Sequence, residues 1–464
     1  MSKKALNKTV RTFYGFGDLG FTLMSSVELY FFVFFLTNVA KFSLPMVALI
    51  GSVTSIVDAA LSPFYGAFLS GTKPLKWGRN RSWLLLAPIP VVVLYMFEFT
   101  KIGPEPIAAV IVSAGFILSH ILWNMAWVAN VSLIPSMATN AEERSLLAAR
   151  RSTWTSLNGV FFSYVAPPLA LYIGTITGNP VLGYTFLAGI MGVAFIIAYF
   201  TVFKITDGYE PVEAPTSGAV ADAHSEKVSA GVMLKSLFQN PPLIALLVGD
   251  FLRWVSYFIM VSSAAYVFTY VFKNMALFPL YLLIESGFMV VGAWVSGPIA
   301  KAISSRTTSI LGLIGLAASL LICKFVGTNL VLFFVFIVLQ GAFTGLLNSV
   351  MVALYSDVAV YGEWKTGKNA SSFVMGMMTF ALKIAIISRG TIIPLVLGAA
   401  GFIVGANPAT ASPELQNAVL NVFLAIPGLF AIVSGVVMAL SYRLSRSKLE
   451  GYQAEIDAKR TQAA

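Results

Sequence analysis

Apolar residues in this chain gather into twelve long runs separated by short polar breaks, over residues 12–40, 44–70, 82–100, 106–135, 145–173, 180–203, 240–272, 277–300, 307–326, 329–357, 371–400 and 414–442. A hydrocarbon layer of roughly 30 Å is crossed by about 20 helical residues, and these runs meet or approach that length. Lipid offers no hydrogen bonds to a backbone, so a crossing segment is either a helix or part of a closed barrel. A barrel would show short alternating segments, whereas these runs are continuous. The pattern predicts an all-α membrane protein.

Composition agrees, with 58% hydrophobic residues, 11% charged residues and a mean hydropathy of +0.83. The one cysteine, Cys323, lies in an apolar run, which rules out a disulfide within the chain. Residues 1–11 are short and basic, but the apolar run behind them is full-length and has no small-residue cleavage site, so the first helix is expected to be retained. The net charge of +10 would point to nucleic acid in a soluble protein, yet its distribution gives another reading. With the N-terminus inside, 23 of the 30 Lys and Arg fall on the inner side, and only Lys41, Lys101, Lys273 and Lys324 fall in outer loops. The positive-inside rule therefore places both termini in the cytosol, with lipid rather than nucleic acid as the charged partner.

One long polar stretch, with Pro211, Pro215 and Gly218, divides the chain. It predicts a six-helix bundle at 1–206, a cytoplasmic central loop at 207–235, a second six-helix bundle at 236–443 and a cytoplasmic tail at 444–464. Two bundles around a midplane site form the layout of the major facilitator superfamily. Internal symmetry in sequence is weak; the nearest echo is Gly17-Asp18 against Gly249-Asp250.

Four stretches are more specific: Tyr14-Gly-Phe-Gly-Asp-Leu-Gly20, Asp58-Ala-Ala-Leu-Ser-Pro63, Lys76-Trp-Gly-Arg-Asn-Arg-Ser-Trp83 and Asp357-Val-Ala-Val-Tyr-Gly-Glu-Trp-Lys-Thr-Gly367. Together they resemble the glycoside-pentoside-hexuronide:cation symporter family, typified by the melibiose carrier, and the last is the most specific. The resemblance implies import of a sugar, glycoside or uronide driven by sodium, lithium or protons, with no cofactor. It also implies a monomer in the bacterial inner membrane.

Charge at mid-bilayer is costly, about 2.5–3.5 kcal/mol on insertion scales, which makes Asp18, Glu28, Asp58, Asp250, Arg253, Glu285, Lys383 and Arg389 functional candidates. Asp58 occupies the position of the family's cation-site aspartate, with Ser62, Asn124 and Lys383 as its expected neighbours. Sodium-coupled relatives carry Asn and a second Asp three and four residues after that aspartate, where this chain has Leu61 and Ser62. Sodium needs several oxygens, by analogy with other hard cations, and a proton needs one acceptor, so H+ is favoured over Na+ at Asp58. A fixed ion pair of Asp58 with Lys383 is the bland reading, and the two are compatible.

On the substrate side, the family's acidic positions in the first and fourth helices correspond to Thr22 and Trp127, which argues against galactoside recognition of the melibiose type. Asp18 and Thr22 share a face of the first helix with Tyr14 nearby, and Trp127, Trp154 and Trp254 offer rings for stacking. Arg151 offers a fork of donors to an anionic glycoside, or a structural role near the gate. Arg79, Arg81, Glu142, Arg144, Asp357, Glu363 and Lys365 place opposite charges on one set of loops, which suits a gating latch. Two histidines, no Cys-His cluster and no phosphate-binding glycine loop leave no enzyme signature. An uncoupled facilitator, an exporter of a hydrophobic or glycosylated solute, and a non-transporting receptor stay open as alternatives.

Overall fold

The structure, a computed structural model, describes residues 4–71, 75–139, 141–210, 240–367, 371–405 and 407–463. Among these, every long element is a helix. In chain order they are α1 (Phe16–Phe34), α2 (Leu44–Gly71), α3 (Arg81–Leu86 and Pro88–Glu98), α4 (Glu105–Met137), α5 (Ala141–Thr177) and α6 (Pro180–Ile205). After the central stretch come α7 (Pro241–Tyr266), α8 (Phe278–Ile303), α9 (Ser305–Val326), α10 (Leu330–Thr366), α11 (Ser371–Ala399), α12 (Pro413–Leu420 and Ile426–Ser441) and α13 (Arg446–Ala463).

Eleven of the described helices are long and apolar enough to cross a membrane, and α3 supplies the twelfth expected crossing in two pieces. The break has a local cause. Ala87 keeps helical dihedrals, but Pro88 and Pro90 bring no N–H, so the hydrogen-bond ladder lapses while the backbone carries on. Helix starts are marked by side chains that accept orphan N–H groups: Asn179 from Val181, Asn240 from Leu243, Asn329 from Leu332 and Ser412 from Leu415. At the other end of α10, Gly367 takes the left-handed conformation (φ 70°) and its N–H returns to the Glu363 carbonyl. That helix runs nine residues beyond the expected end at 357, carrying the Tyr-Gly-Glu-Trp motif as a continuation. The expected tail forms α13, a largely polar helix with Leu449, Tyr452 and the buried Ile456 on one face.

The internal repeat is clearer in the backbone than in the residues. α1 ends in a π-helical turn at Phe35–Val39, followed by Lys41 with φ 56°. α7 ends in a π-helical turn at Val267–Val271, followed by Lys273 with φ 53°. Both turns begin 17 residues after the Gly-Asp pair of their helix.

The chain forms two compact units: residues 1–221 with 276–280 and 402–407, and residues 222–275, 281–401 and 408–464. In the first, α1 packs on α5 and α6, and α4 packs on α2 and α3. In the second, α7 packs on α11 and α12, and α9 on α10 and α12. Of the expected loop 207–235, only 207–210 lie within the described residues. Here Tyr209 donates its hydroxyl to the Ala5 carbonyl and accepts from the Asn7 N–H, tying the chain's start to the end of α6.

Candidate functional site

Asp58 sits half-buried midway along α2. Its Oδ1 accepts from Asn124 Nδ2 at 3.1 Å and from the Tyr65 hydroxyl at 3.3 Å. The same Asn124 Nδ2 donates to the His120 carbonyl at 2.8 Å. Two acceptors on one amide nitrogen fix the orientation of that amide. Asn124 is therefore a neighbour of Asp58 that turns its N–H side to the carboxylate, where it donates and offers no oxygen to a cation. Ser62 is half-buried one helical turn after Asp58. Lys383 is half-buried midway along α11, in the second unit.

Asp18 is buried near the start of α1 and meets Arg151 of α5 in a two-pronged contact, Nε to Oδ2 at 2.7 Å and Nη2 to Oδ1 at 2.5 Å. This uses both as partners of each other, so Arg151 is not an open fork for a substrate carboxylate. Thr22 turns its hydroxyl back to the Asp18 carbonyl at 2.8 Å. Tyr14 is fully buried and its hydroxyl donates to the Asn130 carbonyl, placing it in the core rather than beside a solute. Trp154 donates its indole N–H to the Thr12 carbonyl at 2.9 Å and packs on Phe13 and Phe16. It pins the short helix Lys8–Phe13, so it too leaves the expected substrate set. Gly15 permits this approach, since a Cβ there would lie 2.5 Å from the Arg150 carbonyl oxygen. Trp127 keeps 37% of its surface exposed and faces Phe21 with ring centroids 6.1 Å apart, so it remains available for stacking.

In the second unit Asp250 is fully buried and paired with Arg253 of its own helix at 2.8 Å. Tyr355 donates to Asp250 at 3.1 Å, and Arg253 donates to Asn348 at 2.7 Å. Trp254 lies under the Arg253 guanidinium at 4.2 Å and stacks on Phe258.

The expected latch residues divide. Arg81 is buried and spends its donors within its own unit, on the Phe203 carbonyl, Thr206 and Asp207. Glu210 accepts from the Asn80 and Arg81 N–H groups. Together they brace the start of α3 against the end of α6, which replaces the latch role expected of Arg81. A Cβ at Gly78 would fall 2.4 Å from a Glu210 oxygen, so glycine is required there. Arg79 is half-buried, Arg144 exposed and Asp357 half-buried, while the Glu142 side chain lies outside the described residues. Glu143 accepts from the Thr139 N–H and hydroxyl and from Arg11. The Thr139 backbone bond in particular holds its carboxyl below the usual range. In the motif at the end of α10, Lys365 lies over the Tyr361 ring at 5.7 Å and Glu363 is half-buried. Trp364 packs on Tyr452 with the rings tilted and centroids 4.2 Å apart, and donates to Glu455 at 2.7 Å, joining α10 to α13.

Sequence reading missed one grouping. Glu28 of α1, Glu98 of α3 and His120 of α4 are all buried, and their ligand atoms lie within 4.8 Å of one another. Glu28 stood out as a charge within a span and His120 as a ring on α4, but nothing in the sequence joined them to Glu98, because the three meet only when three helices pack.

Comparison with known proteins agrees with this architecture. A family model described as MFS/sugar transport protein matches residues 13–446. The isoprimeverose transporter of Lactiplantibacillus pentosus is 26% identical over 88% of this chain and 83% of its own length. A putative sulfoquinovose importer of Escherichia coli (strain K12) is 23% identical over 96% of this chain and 92% of its own. Among solved structures, a bacterial homologue of the human lysosomal transporter Spinster superposes with a TM-score of 0.69 at 12% identity, over 95% of this chain and all of that one. The fold is that of the major facilitator superfamily, a fold of membrane transporters, and the chain belongs to its sugar-transport family of the glycoside-pentoside-hexuronide type.

Proposed function

We propose that this protein imports a sugar, glycoside or uronide across the inner membrane of a bacterium by proton symport, with both termini in the cytosol and Asp58 as the coupling carboxylate. The observation that carries the reading is the set of groups around Asp58. An amide N–H and a phenol O–H are turned toward one carboxylate oxygen. Both donors complement the ionised carboxylate and would repel a metal cation, whereas a proton needs only a single acceptor oxygen. Leu61 and Ser62, in place of the Asn and Asp of sodium-coupled relatives, support the same choice. Binding the proton removes a charge whose burial is expensive, and this makes the empty and loaded carriers differ in the cost of reorienting.

The solute is read from the relatives and from the wall of the first unit. Two relatives carry names that specify isoprimeverose and sulfoquinovose. Trp127 supplies a ring face for an apolar sugar face. Near Asp18, the Asn130 side-chain amide and the Tyr199 hydroxyl are buried polar groups with no hydrogen-bond partner among the described residues. Such groups are rare and call for water or a ligand hydroxyl.

The test is uptake of radiolabelled isoprimeverose, sulfoquinovose and a methyl glucuronide into proteoliposomes under an inward proton gradient without sodium. Wild type should concentrate at least one of them, and Asp58→Asn should exchange that solute across the membrane without concentrating it. Sodium-dependent accumulation, outward pumping, or concentrative uptake by Asp58→Asn would each refute the scheme.

A further inference from the structure

In the second unit, α7, α9 and α10 enclose a small polar cavity that the transport scheme does not use. Arg253 and Ser256 of α7 line it on one side and Gln340 and Thr344 of α10 on another, while Leu316 and Leu320 of α9 close it with apolar side chains. All four polar residues are buried. The cavity offers about 10 Å³ to the centre of a water-sized sphere. That is roughly the room of one water molecule, and too little for a sugar ring.

Gln340 is only 1% exposed, and its amide is half satisfied. Nε2 lies 3.0 Å from the Thr344 hydroxyl, and Oε1 has no hydrogen-bond partner among the described residues. Turning the amide over would let Thr344 donate to the oxygen and would orphan the NH2 instead. Either way one end of the amide lacks a partner, which buried polar groups rarely do. Across the cavity the Arg253 guanidinium has five N–H bonds. Its Nε and Nη2 turn to Asp250 Oδ1 at 2.9 and 2.8 Å, and Nη1 turns to Asn348 at 2.7 Å, which leaves at least one hydrogen on each Nη. Ser256 gives its hydroxyl hydrogen to the Pro427 carbonyl at 2.8 Å, so its oxygen is left as an acceptor. The wall thus presents donors, an acceptor and one unmatched amide end, and a molecule that both donates and accepts meets all of them. A bare cation is opposed by the guanidinium. An anion finds that charge already offset by the fully buried Asp250 and meets the Ser256 oxygen besides.

We propose that this cavity binds one internal water molecule, which bridges the Gln340 amide to the Arg253 guanidinium and ties α7 to α10. Arg253 already reaches α10 at Asn348, and Gln340 lies eight residues earlier on that helix, just over two turns away. The water adds a second tie at that level and fixes the guanidinium from a side that neither Asp250 nor Asn348 covers. The proposal rests on neither the direction of transport nor the coupling ion.

The chain carries its own reporter. Met260 lines the cavity and is 1% exposed, whereas Met438, equally buried, packs against Gly249 away from it. A brief X-ray pulse splits water into hydroxyl radicals, which oxidise a methionine beside a bound water to the sulfoxide even where bulk radicals cannot reach. In the full-length protein in liposomes, peptide mass spectrometry should find Met260 oxidised several-fold faster than Met438. Hydrogen peroxide added to the bulk should oxidise both equally slowly, as closed positions require. Gln340→Leu, which removes the amide, should bring the radiolysis rate of Met260 down to that of Met438. If that variant does not fold, the two wild-type measurements decide alone. Met260 as inert as Met438 under X-rays means a dry cavity and overturns the proposal. Faster peroxide oxidation of Met260 means a pocket open to bulk solvent, and an undiminished radiolysis rate in Gln340→Leu means a water that the amide does not hold; either result overturns it as well.

Discussion

The helices α1 and α7 share a backbone plan and use it for different chemistry. Each carries a Gly-Asp pair, a π-helical turn beginning 17 residues after the aspartate, and a lysine with positive φ just beyond. In α1 the aspartate reaches across to Arg151 of α5, whereas in α7 it pairs with Arg253 three residues along the same helix. Ten residues on, α1 has Glu28 where α7 has Met260. The position of Thr22 in α1 is taken by Trp254 in α7. The first unit thus gathers groups that can gain and lose protons, namely Glu28, Asp58, Glu98 and His120. The corresponding helix of the second unit holds a closed ion pair and an aromatic surface.

The largest expected effect tests the two ion pairs. Removing one member of a buried pair strands the other charge, at a cost of about 3–5 kcal/mol. Arg253→Met should approach that loss, because Asp250 is fully buried and would keep, among the described residues, only the Tyr355 hydroxyl as a hydrogen-bond partner. Arg151→Met should cost less, about 1.5–3 kcal/mol, since Arg151 retains some exposure. Its effect on transport rate should be the larger of the two, because its ion pair crosses from α5 to α1, whereas the Asp250–Arg253 pair lies within α7. Thermal unfolding in detergent and initial uptake rates measure both. Equal losses of stability, or a greater transport defect in Arg253→Met, would erase the distinction.

A second effect concerns how closely each helix is packed. A Cβ on Gly20 of α1 would lie 2.7 Å from Ala198 Cβ and 3.0 Å from Phe195 Cα, so α1 and α6 meet nearly backbone to backbone. α7 has Leu252 at that position. Gly20→Ala should therefore destabilise by about 1–3 kcal/mol through overpacking. Leu252→Ala, at a half-buried side chain, should cost less. The order reverses if α1 can shift to make room.

These contrasts also explain what the sequence made legible. Twelve crossings, the division into halves and the Asp58 position follow from hydropathy, loop composition and short motifs, which are local properties. The partners of the buried charges are not local. Asp250 and Arg253 are three residues apart, and their pairing was readable; Asp18 and Arg151 lie 133 residues apart and were read as separate substrate groups. Glu98 stood at the end of an apolar run, and only the packing of α1, α3 and α4 makes it part of a cluster. Asn124 was correctly a neighbour of Asp58, but whether its amide presents oxygen or nitrogen depends on the His120 carbonyl one turn back. Arg81 was read from motif position as a gate element and Trp364 only as part of a family motif, and their observed partners, Asp207 and Glu455, sit in segments without a pattern of their own.

A smaller effect comes from Trp254. A guanidinium over an indole face contributes about 0.5–2 kcal/mol, depending on how far it is desolvated. Trp254→Phe should keep most of that and the stacking on Phe258, and Trp254→Ala should lose it. Thr22→Ala in α1, where the hydroxyl only returns to its own helix carbonyls, should change stability by less than about 0.5 kcal/mol. A stability loss at Thr22 equal to that at Trp254 would show that the two positions are more alike than their contacts indicate.

The smallest effect tests the feature the two helices share. A side chain at φ near 55° costs about 1 kcal/mol relative to glycine, which tolerates that region. Lys41→Gly should therefore stabilise the folded protein slightly, by about 0.5–1 kcal/mol, less the extra freedom glycine gives the unfolded chain. Lys273 has the same backbone, but its ammonium also donates to the Ala409 carbonyl at 2.9 Å, so Lys273→Gly gives up an exposed hydrogen bond and should come out close to neutral. Lys273→Asn, which keeps a residue that tolerates positive φ, should fall with it. The informative quantity is the difference between the two glycine variants, measured by thermal unfolding under one set of conditions. If both stabilise alike, the Ala409 contact contributes nothing; if Lys41→Gly destabilises, the common backbone plan of α1 and α7 does not extend through the turn.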